Sequence, residues 1–99
     1  MYIWRVENIN GEGCYVHQDT KLILYRHIED QKHPCPWDDI LINRNPRDGE
    51  ICGFLDLKQA INWFSEKELQ KLKELGFELK LIKVKQITAI GNTQVLARR

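Results

Sequence analysis

Apolar residues recur at helical spacing in the second half of the chain. Residues 57–64 carry a stripe that a helix would turn toward a core, formed by Leu57, Ala60, Ile61 and Phe64. Asp56 directly precedes this segment, and aspartate commonly caps helix N-termini because its carboxylate accepts a backbone N–H of the first turn. The pattern predicts a helix over 57–64.

A second helix is predicted to follow at once. Ser65 and Glu68 have the spacing of a capping box, in which each side chain accepts a hydrogen bond from the other residue's backbone N–H. The helix is expected over 66–75, with Leu69, Leu72 and Leu75 toward the core and lysines and glutamates on the other side. Gly76 supplies the left-handed residue that often ends a helix. The two segments together predict a helix pair at about 56–75.

Alternating and β-branched segments predict strands on both sides of the helix pair. Residues 2–7 have the composition of a strand, and residues 14–17 are expected to return beside them. Later strands are predicted at 50–54, 77–85, 87–90 and 93–98. The turn residues Gly91 and Asn92 separate the last two, which predicts a hairpin. The expected fold is a single α+β domain over residues 1–99 with a mainly antiparallel sheet.

The chain between the first strand and residue 50 is less regular. Residues 20–29 fit two patterns, because "LILY" alone resembles a strand while the longer spacing of apolar residues favours a helix. Residues 30–50 contain all three prolines, which lack the amide donor that regular structure needs. A short strand is expected at 40–42 within this segment. Long ordered loops in small domains are commonly functional, so this loop is a candidate binding element.

Composition narrows the possible classes of function. The chain has 99 residues, of which 42% are hydrophobic and 29% charged, with a net charge of +1. Such a balance argues against nucleic acid as a partner, and glutamates interleave the lysines of the C-terminal half. No apolar run approaches the ~20 residues needed to cross a bilayer, so no membrane association is expected. Three cysteines and no signal peptide predict a cytoplasmic protein with reduced thiols.

The segment "HPCPWDD" at 33–39 raises the question of a metal site or a cysteine nucleophile. A zinc site would use Cys14, His17, His33 and Cys35. These pairs lack the usual C-x₂₋₄-C spacing, so zinc is the less favoured hypothesis. Cys35 beside His33 would need a second group to activate the thiol, and the sequence supplies no obvious one. The two prolines and Trp37 favour a preformed loop with an aromatic anchor instead.

The loop "NINGEG" follows the first strand, which carries Arg5. It matches neither the dinucleotide-binding pattern nor the P-loop, because the glycine spacing differs and no helix clearly follows. An arginine in this place points either to solvent or into a cleft.

The order of several motifs resembles a family of small phage and prophage proteins. The motifs are "YIWRVEN", "GEGCY", "HPCPWDD", "CGFLDLKQAINWF", "LKELGFELKLIKV" and "AIGNTQVL", and they cover nearly the whole chain. This layout is in turn similar to the ADP-ribosyltransferase fold, whose members cleave NAD between two small sheets.

The second resemblance implies a set of site residues. Arg5 would match the arginine or histidine of the first strand, Gly53 and Phe54 would lie at the second element, and Gln94 would occupy the place of a glutamate. The chain departs from that pattern in two respects. Residues 50–56 have no Ser-Thr-Ser motif, and Gln94 has no negative charge with which to stabilise an oxocarbenium ion. The departures favour a binding protein over an ordinary transferase.

The leading hypothesis is therefore a phage-derived binding protein in the host cytoplasm. Its partner would be a host protein, such as a component of a defence system, or a nucleotide of the NAD or ADP-ribose type. The predicted binding residues are Arg5, Asn10, Gly11, Gly13, His33, Pro34, Pro36, Trp37, Asp38, Asp39 and Gln94. The alternatives are a divergent ADP-ribosyltransferase that uses Arg5 and Gln94, and a zinc-stabilised interaction module.

Overall fold

In the part of the chain that the computed structural model describes, two strands are followed by two helices and then by three more strands. The structure describes residues 1–15, Thr20, Ile23, Leu24, His27, His33, Pro36 and residues 38–99. The elements are β1 (Tyr2–Glu7), β2 (Glu50–Gly53), α1 (Leu57–Trp63), α2 (Glu66–Glu74), β3 (Glu78–Lys83), β4 (Gln86–Ile90) and β5 (Val95–Arg98). The predicted α+β class, the antiparallel pairing and the helix pair are confirmed.

The strands form two antiparallel sheets. β1 pairs with β3 from Tyr2 opposite Lys83 to Glu7 opposite Glu78. The second sheet has the order β2-β5-β4, and the predicted C-terminal hairpin is its β4–β5 half. A bridge joins the sheets: the Trp4 amide donates to the Phe54 carbonyl at 2.8 Å, and the Phe54 amide donates to the Trp4 carbonyl at 2.7 Å. β1 therefore lies between β3 and the end of β2.

Gly53 permits this close approach. A Cβ atom there would lie 2.7 Å from the Trp4 carbonyl oxygen and 2.6 Å from the Ile3 Cδ1 atom, both inside normal contact distance. The glycine is needed because two backbones meet, which is one of the established uses of glycine in strands.

Both helices begin and end as their capping residues predict. Asp56 accepts a hydrogen bond from the Gln59 amide at 2.9 Å. Ser65 and Glu68 form the complete capping box. Gly76 has a φ of 89°, the left-handed conformation that favours glycine at a helix C-terminus.

The predicted core face of α1 is wrong in part. Leu57 and Ile61 are 42% and 56% exposed, whereas Ala60, Trp63 and Phe64 are buried. The spacing alone allows either stripe, since both contain Ala60 and Phe64. Trp63 offers more apolar area than either aliphatic side chain, and its burial against Phe54 decides the rotation of the helix. At the end of α2, Leu72 is fully buried but Leu75 is 43% exposed.

The predicted strand at 40–42 is also wrong. Residues 40–42 form turns, because the Asp39 carbonyl accepts from the amides of Ile42 and Asn43. Of the predicted strand at 14–17, Cys14 and Tyr15 lie in a turn next to a bridge between Glu7 and Gly13, and residues 16 and 17 lie outside the described residues. Most of the predicted helix at 20–29 lies outside the described residues.

The described core residues form two clusters. The larger cluster lies among β1, the end of β2 and both helices, and it contains Val6, Cys14, Leu24, Phe54, Ala60, Trp63, Phe64, Leu72 and Phe77. The smaller one lies between the two sheets and contains Ile3, Val84, Val95 and Ala97. A cavity lies beside the larger cluster, where β1 meets the end of β2.

Candidate functional site

A cavity of about 290 Å³ opens where β1 meets the end of β2. Its described lining is Arg5, Val6, Gly13, Cys14, Tyr15, His27, His33, Pro36, Cys52, Gly53, Phe54, Trp63, Phe64 and Gln94. These residues come from both sheets, from α1 and from the long loop. Most of the lining is apolar or aromatic, and a few polar groups stand among it, as in many small-molecule sites.

Arg5 provides the positive charge of the cavity. Its Nη1 atom donates to the Cys52 carbonyl at 2.6 Å, and its Nε atom donates to Glu7 Oε2 at 3.1 Å. The Nη2 atom makes no hydrogen bond within the part of the chain that the structure describes. A Cβ at Gly13 would lie 2.9 Å from that Nη2 atom. Gly13 therefore leaves room for a guanidinium that is fixed on one side and has a donor available on the other.

Glu7 holds this arginine in place. Its carboxylate is 4% exposed and also forms an ion pair with Arg99. Burial by itself raises the pKa of Glu7, but the hydrogen bonds and charges of Arg99 and Arg5 outweigh it and keep that pKa below its ordinary value. Arg99 also donates to the Gly11 carbonyl at 3.1 Å. Arg99 thus links the loop at residues 8–13 to the end of β1.

A hydrogen-bonded chain of side chains forms another part of the wall. Trp63 Nε1 donates to the Tyr15 hydroxyl at 2.6 Å, and that hydroxyl lies 2.7 Å from His27 Nδ1. His27 Nε2 lies 3.1 Å from Glu68 Oε1. Burial raises the pKa of Tyr15, so the phenol stays neutral at physiological pH.

Aromatic rings surround this chain. The His27 and His33 rings stack at 3.9 Å, and Phe54 packs against Trp63 with ring centroids 5.6 Å apart. His33 Nε2 donates to the Trp63 carbonyl, which ties the long loop to the end of α1. These contacts give the cavity several flat apolar surfaces.

The cysteines at the cavity differ in exposure. Cys14 is buried, and burial raises the pKa of its thiol to about 12. Cys52 is half-buried on β2. Cys14 is therefore protonated at neutral pH and lacks the lowered pKa of a catalytic thiolate.

The structure brings five of the predicted binding residues together. Arg5, Gly13, His33, Pro36 and Gln94 all line the cavity, and the Gln94 side chain is only 4% exposed. Of the other predicted residues, Asn10 and Gly11 are in the loop after β1, Asp38 is exposed, and Asp39 is buried against the β4–β5 turn. Pro34 and Trp37 lie outside the described residues.

Two of the four predicted zinc ligands lie among the described residues. Cys14 and His33 line the same cavity, whereas His17 and Cys35 lie outside the described residues. Among the residues that are described, no group of three or more histidine, cysteine or acidic side chains is placed to hold a metal ion.

Sequence reasoning missed the chain from Trp63 through Tyr15 and His27 to Glu68. These residues come from three separate segments, and only the fold brings them together. The capping-box role of Glu68 was visible in the sequence, but its second role toward His27 has no local signature.

The fold and the site together define the class of protein: a small antiparallel α+β domain with an aromatic cavity where two sheets meet. The chain belongs to the bacteriophage T4 Y00F protein family, whose model matches residues 1–99. The expected likeness to small phage proteins is thereby confirmed. Neither the curated proteins nor the solved structures gave a match, so the ADP-ribosyltransferase-like fold stays a prediction. Within the described residues, no helix has the length and apolar character needed to span a membrane.

Proposed function

We propose that this phage protein acts by binding, and that its ligand is a nucleotide-type molecule such as ADP-ribose or NAD. The observation that carries the proposal is the Arg5 guanidinium, fixed by Glu7 and the Cys52 carbonyl, with its Nη2 donor at an aromatic cavity. Arginine suits phosphate because its guanidinium is always charged, and the Nη2 group of Arg5 can donate charge-assisted hydrogen bonds to a phosphate oxygen.

The size and lining of the cavity support one part of such a ligand. Its volume of about 290 Å³ is near the lower end for small-molecule sites, which suits a nucleobase or a nicotinamide ring more than a whole dinucleotide. Phe54, Trp63 and Tyr15 offer faces and edges on which a flat ring packs. The phosphates would then lie toward Arg5.

The same lining favours binding over cleavage. Gln94 is buried at the cavity, and the described lining contributes no carboxylate. Cleavage of the nicotinamide bond develops positive charge on the sugar, which a neutral amide stabilises less than a carboxylate does. Transferase or NAD-cleaving activity is therefore the alternative, and it predicts release of nicotinamide from NAD.

Calorimetric titration with ADP-ribose tests the proposal. Wild-type protein is expected to bind, and Arg5→Gln should weaken binding about tenfold or more, because a charge-assisted hydrogen bond contributes about 1.5–3 kcal/mol. Arg47→Gln is the matched control, since Arg47 is an exposed arginine away from the cavity. Absence of heat at millimolar ADP-ribose and NAD would exclude a nucleotide-type ligand.

A second candidate is binding to a host protein, including a component of a defence system. It is supported by the loop after Asp39, where Ile40 and Leu41 are 81% and 63% exposed. Asp39 and Ile42 are buried on either side of them, so two large aliphatic side chains project from an anchored turn. Exposed apolar groups on a rigid loop are typical of contact surfaces.

Affinity capture from host cells separates this candidate from the first. Ile40→Asp and Leu41→Asp should abolish capture of the partner, whereas Ile9→Asp should not, although Ile9 is 94% exposed. Equal capture by all variants would argue that the loop is not the contact surface.

A further inference from the structure

The chain of hydrogen bonds beside the cavity has one direction when His27 is neutral and Glu68 is ionised. An indole Nε1–H only donates, so the Tyr15 oxygen accepts from Trp63. An ionised carboxylate only accepts, so His27 Nε2 carries a proton toward Glu68. In a neutral imidazole the other ring nitrogen is then an acceptor, and the Tyr15 hydroxyl donates its proton to His27 Nδ1.

This direction determines which further hydrogen bonds the Tyr15 oxygen can form. Its proton is committed to His27 and one lone pair accepts from Trp63, which leaves a second lone pair on the oxygen. Tyr15, His27 and Trp63 all line the cavity, and Tyr15 is 44% exposed. Toward a ligand, the hydroxyl can therefore accept a hydrogen bond but cannot donate one.

We propose that the Tyr15 oxygen is an acceptor site for a ligand N–H or O–H group in the cavity, with the His27–Glu68 pair as the positioning device that fixes this direction. The inference deepens the proposed function and rests on it for the location of the ligand. It selects a class of ring: one whose buried edge carries a donor, such as an amide N–H, an amino group or a hydroxyl. Rings with only acceptors on that edge are disfavoured, because their lone pairs would face the Tyr15 oxygen.

The glutamate, the histidine and the tyrosine have different roles in this site. Of these three residues, Tyr15 is the one that accepts a hydrogen bond from the ligand. His27 acts through Tyr15, and Glu68 acts through His27 while its carboxylate also accepts from the Ser65 amide at 2.8 Å. The capping box of α2 thus holds the carboxylate that sets the tautomer of His27.

Two matched small ring compounds test the direction of these hydrogen bonds without a nucleotide. Indole and benzofuran have the same fused rings, but indole has an N–H donor where benzofuran has an oxygen. Wild-type protein is expected to bind indole about fivefold more tightly than Tyr15→Phe does, while benzofuran affinity changes little. Tyr2→Phe is the control, since Tyr2 is an exposed tyrosine on β1 outside the cavity lining.

Each outcome decides the inference. An indole preference that persists in Tyr15→Phe, or no binding of either probe to the wild type, overturns it. ADP-ribose titration separately judges the proposed function, so the two failures are distinguishable. If Tyr15→Phe does not fold, ¹⁵N NMR of the wild-type His27 ring decides the matter: an Nε2–H tautomer and an indole preference support the inference, and an Nδ1–H tautomer overturns it.

Discussion

Asp39 accepts two hydrogen bonds from Thr93, one from its backbone amide and one from its hydroxyl, both at 3.1 Å, although 54 residues separate the two in sequence. The Asn92 amide donates to the same carboxylate at 2.9 Å. Gly91 completes the arrangement, because a Cβ there would collide with the carboxylate. One buried aspartate thus ties the long loop to the turn between β4 and β5.

Asp39→Asn should lower the free energy of unfolding by about 2 kcal/mol, since the amides of Asn92 and Thr93 would lose a charged acceptor and meet an NH₂ group instead. Urea denaturation followed by tryptophan fluorescence measures this. Asp48→Asn is the control, because Asp48 is exposed and its described contact is through its backbone carbonyl. A change below about 0.5 kcal/mol in Asp39→Asn would contradict the anchoring role.

The Asp39 carboxylate should also make the free energy of unfolding depend on pH in the acid range. Burial raises the pKa of Asp39, but the hydrogen bonds from Asn92 and Thr93 outweigh burial and keep that pKa below the ordinary value of 3.8. The unfolded chain therefore takes up the proton first as pH falls. The contribution of Asp39 is fully present above about pH 5 and is lost as pH falls through its folded pKa. Denaturation curves between about pH 5 and pH 2 should be less acid-dependent in Asp39→Asn than in the wild type.

Gly53→Ala should destabilise the junction of the two sheets. The added methyl group would press on the Trp4 carbonyl oxygen, which is backbone and has little freedom to move. Overpacking of this kind costs about 1–3 kcal/mol. Thermal unfolding by circular dichroism measures the loss, and an unchanged melting temperature would mean that β1 and β2 separate easily at Trp4 and Phe54.

The parts of the fold that local chemistry determines were predictable from the sequence. Asp56 and Ser65 each cap a helix through groups within three residues, and Gly76 ends α2 through its own backbone conformation. The rotation of α1 was not predictable in this way, because it depends on Phe54 packing against Trp63. Residues 40–42 have strand composition, yet the hydrogen bonds of Asp39 hold them in a turn.

The residues of the candidate site likewise divide into those that the sequence identified and those whose roles depend on tertiary contacts. Arg5 was identified because the family resemblance implies an arginine or histidine on the first strand, whereas its place in the sequence alone left open whether it points to solvent or into a cleft. Gln94 was identified only through the family resemblance. Tyr15 and His27 carry no sequence signal for their roles, since each depends on a contact with Trp63 or Glu68 that only tertiary structure forms.

Cys52 should react with iodoacetamide before Cys14 in the native protein. Burial raises the pKa of Cys14 to about 12 from an ordinary value of 9.0, so its thiolate fraction near pH 8 is roughly a thousandfold below that of an ordinary thiol. Cys52 is half-buried and more accessible. Peptide mapping by mass spectrometry follows both sites. In urea the difference should disappear, and equal native labelling rates would show that Cys14 is not protected.

Gly13→Ala should weaken ADP-ribose binding with little loss of stability. The new methyl group would lie 2.9 Å from Arg5 Nη2, which makes no described hydrogen bond, so the guanidinium rather than the backbone should shift. A double-mutant cycle with Arg5→Gln gives the decisive measurement by calorimetry. If Gly13 acts through Arg5, the alanine should reduce affinity in the wild type but have almost no effect in the Arg5→Gln background. Additive losses would mean that Gly13 contacts the ligand by itself, and that the guanidinium position does not depend on this glycine.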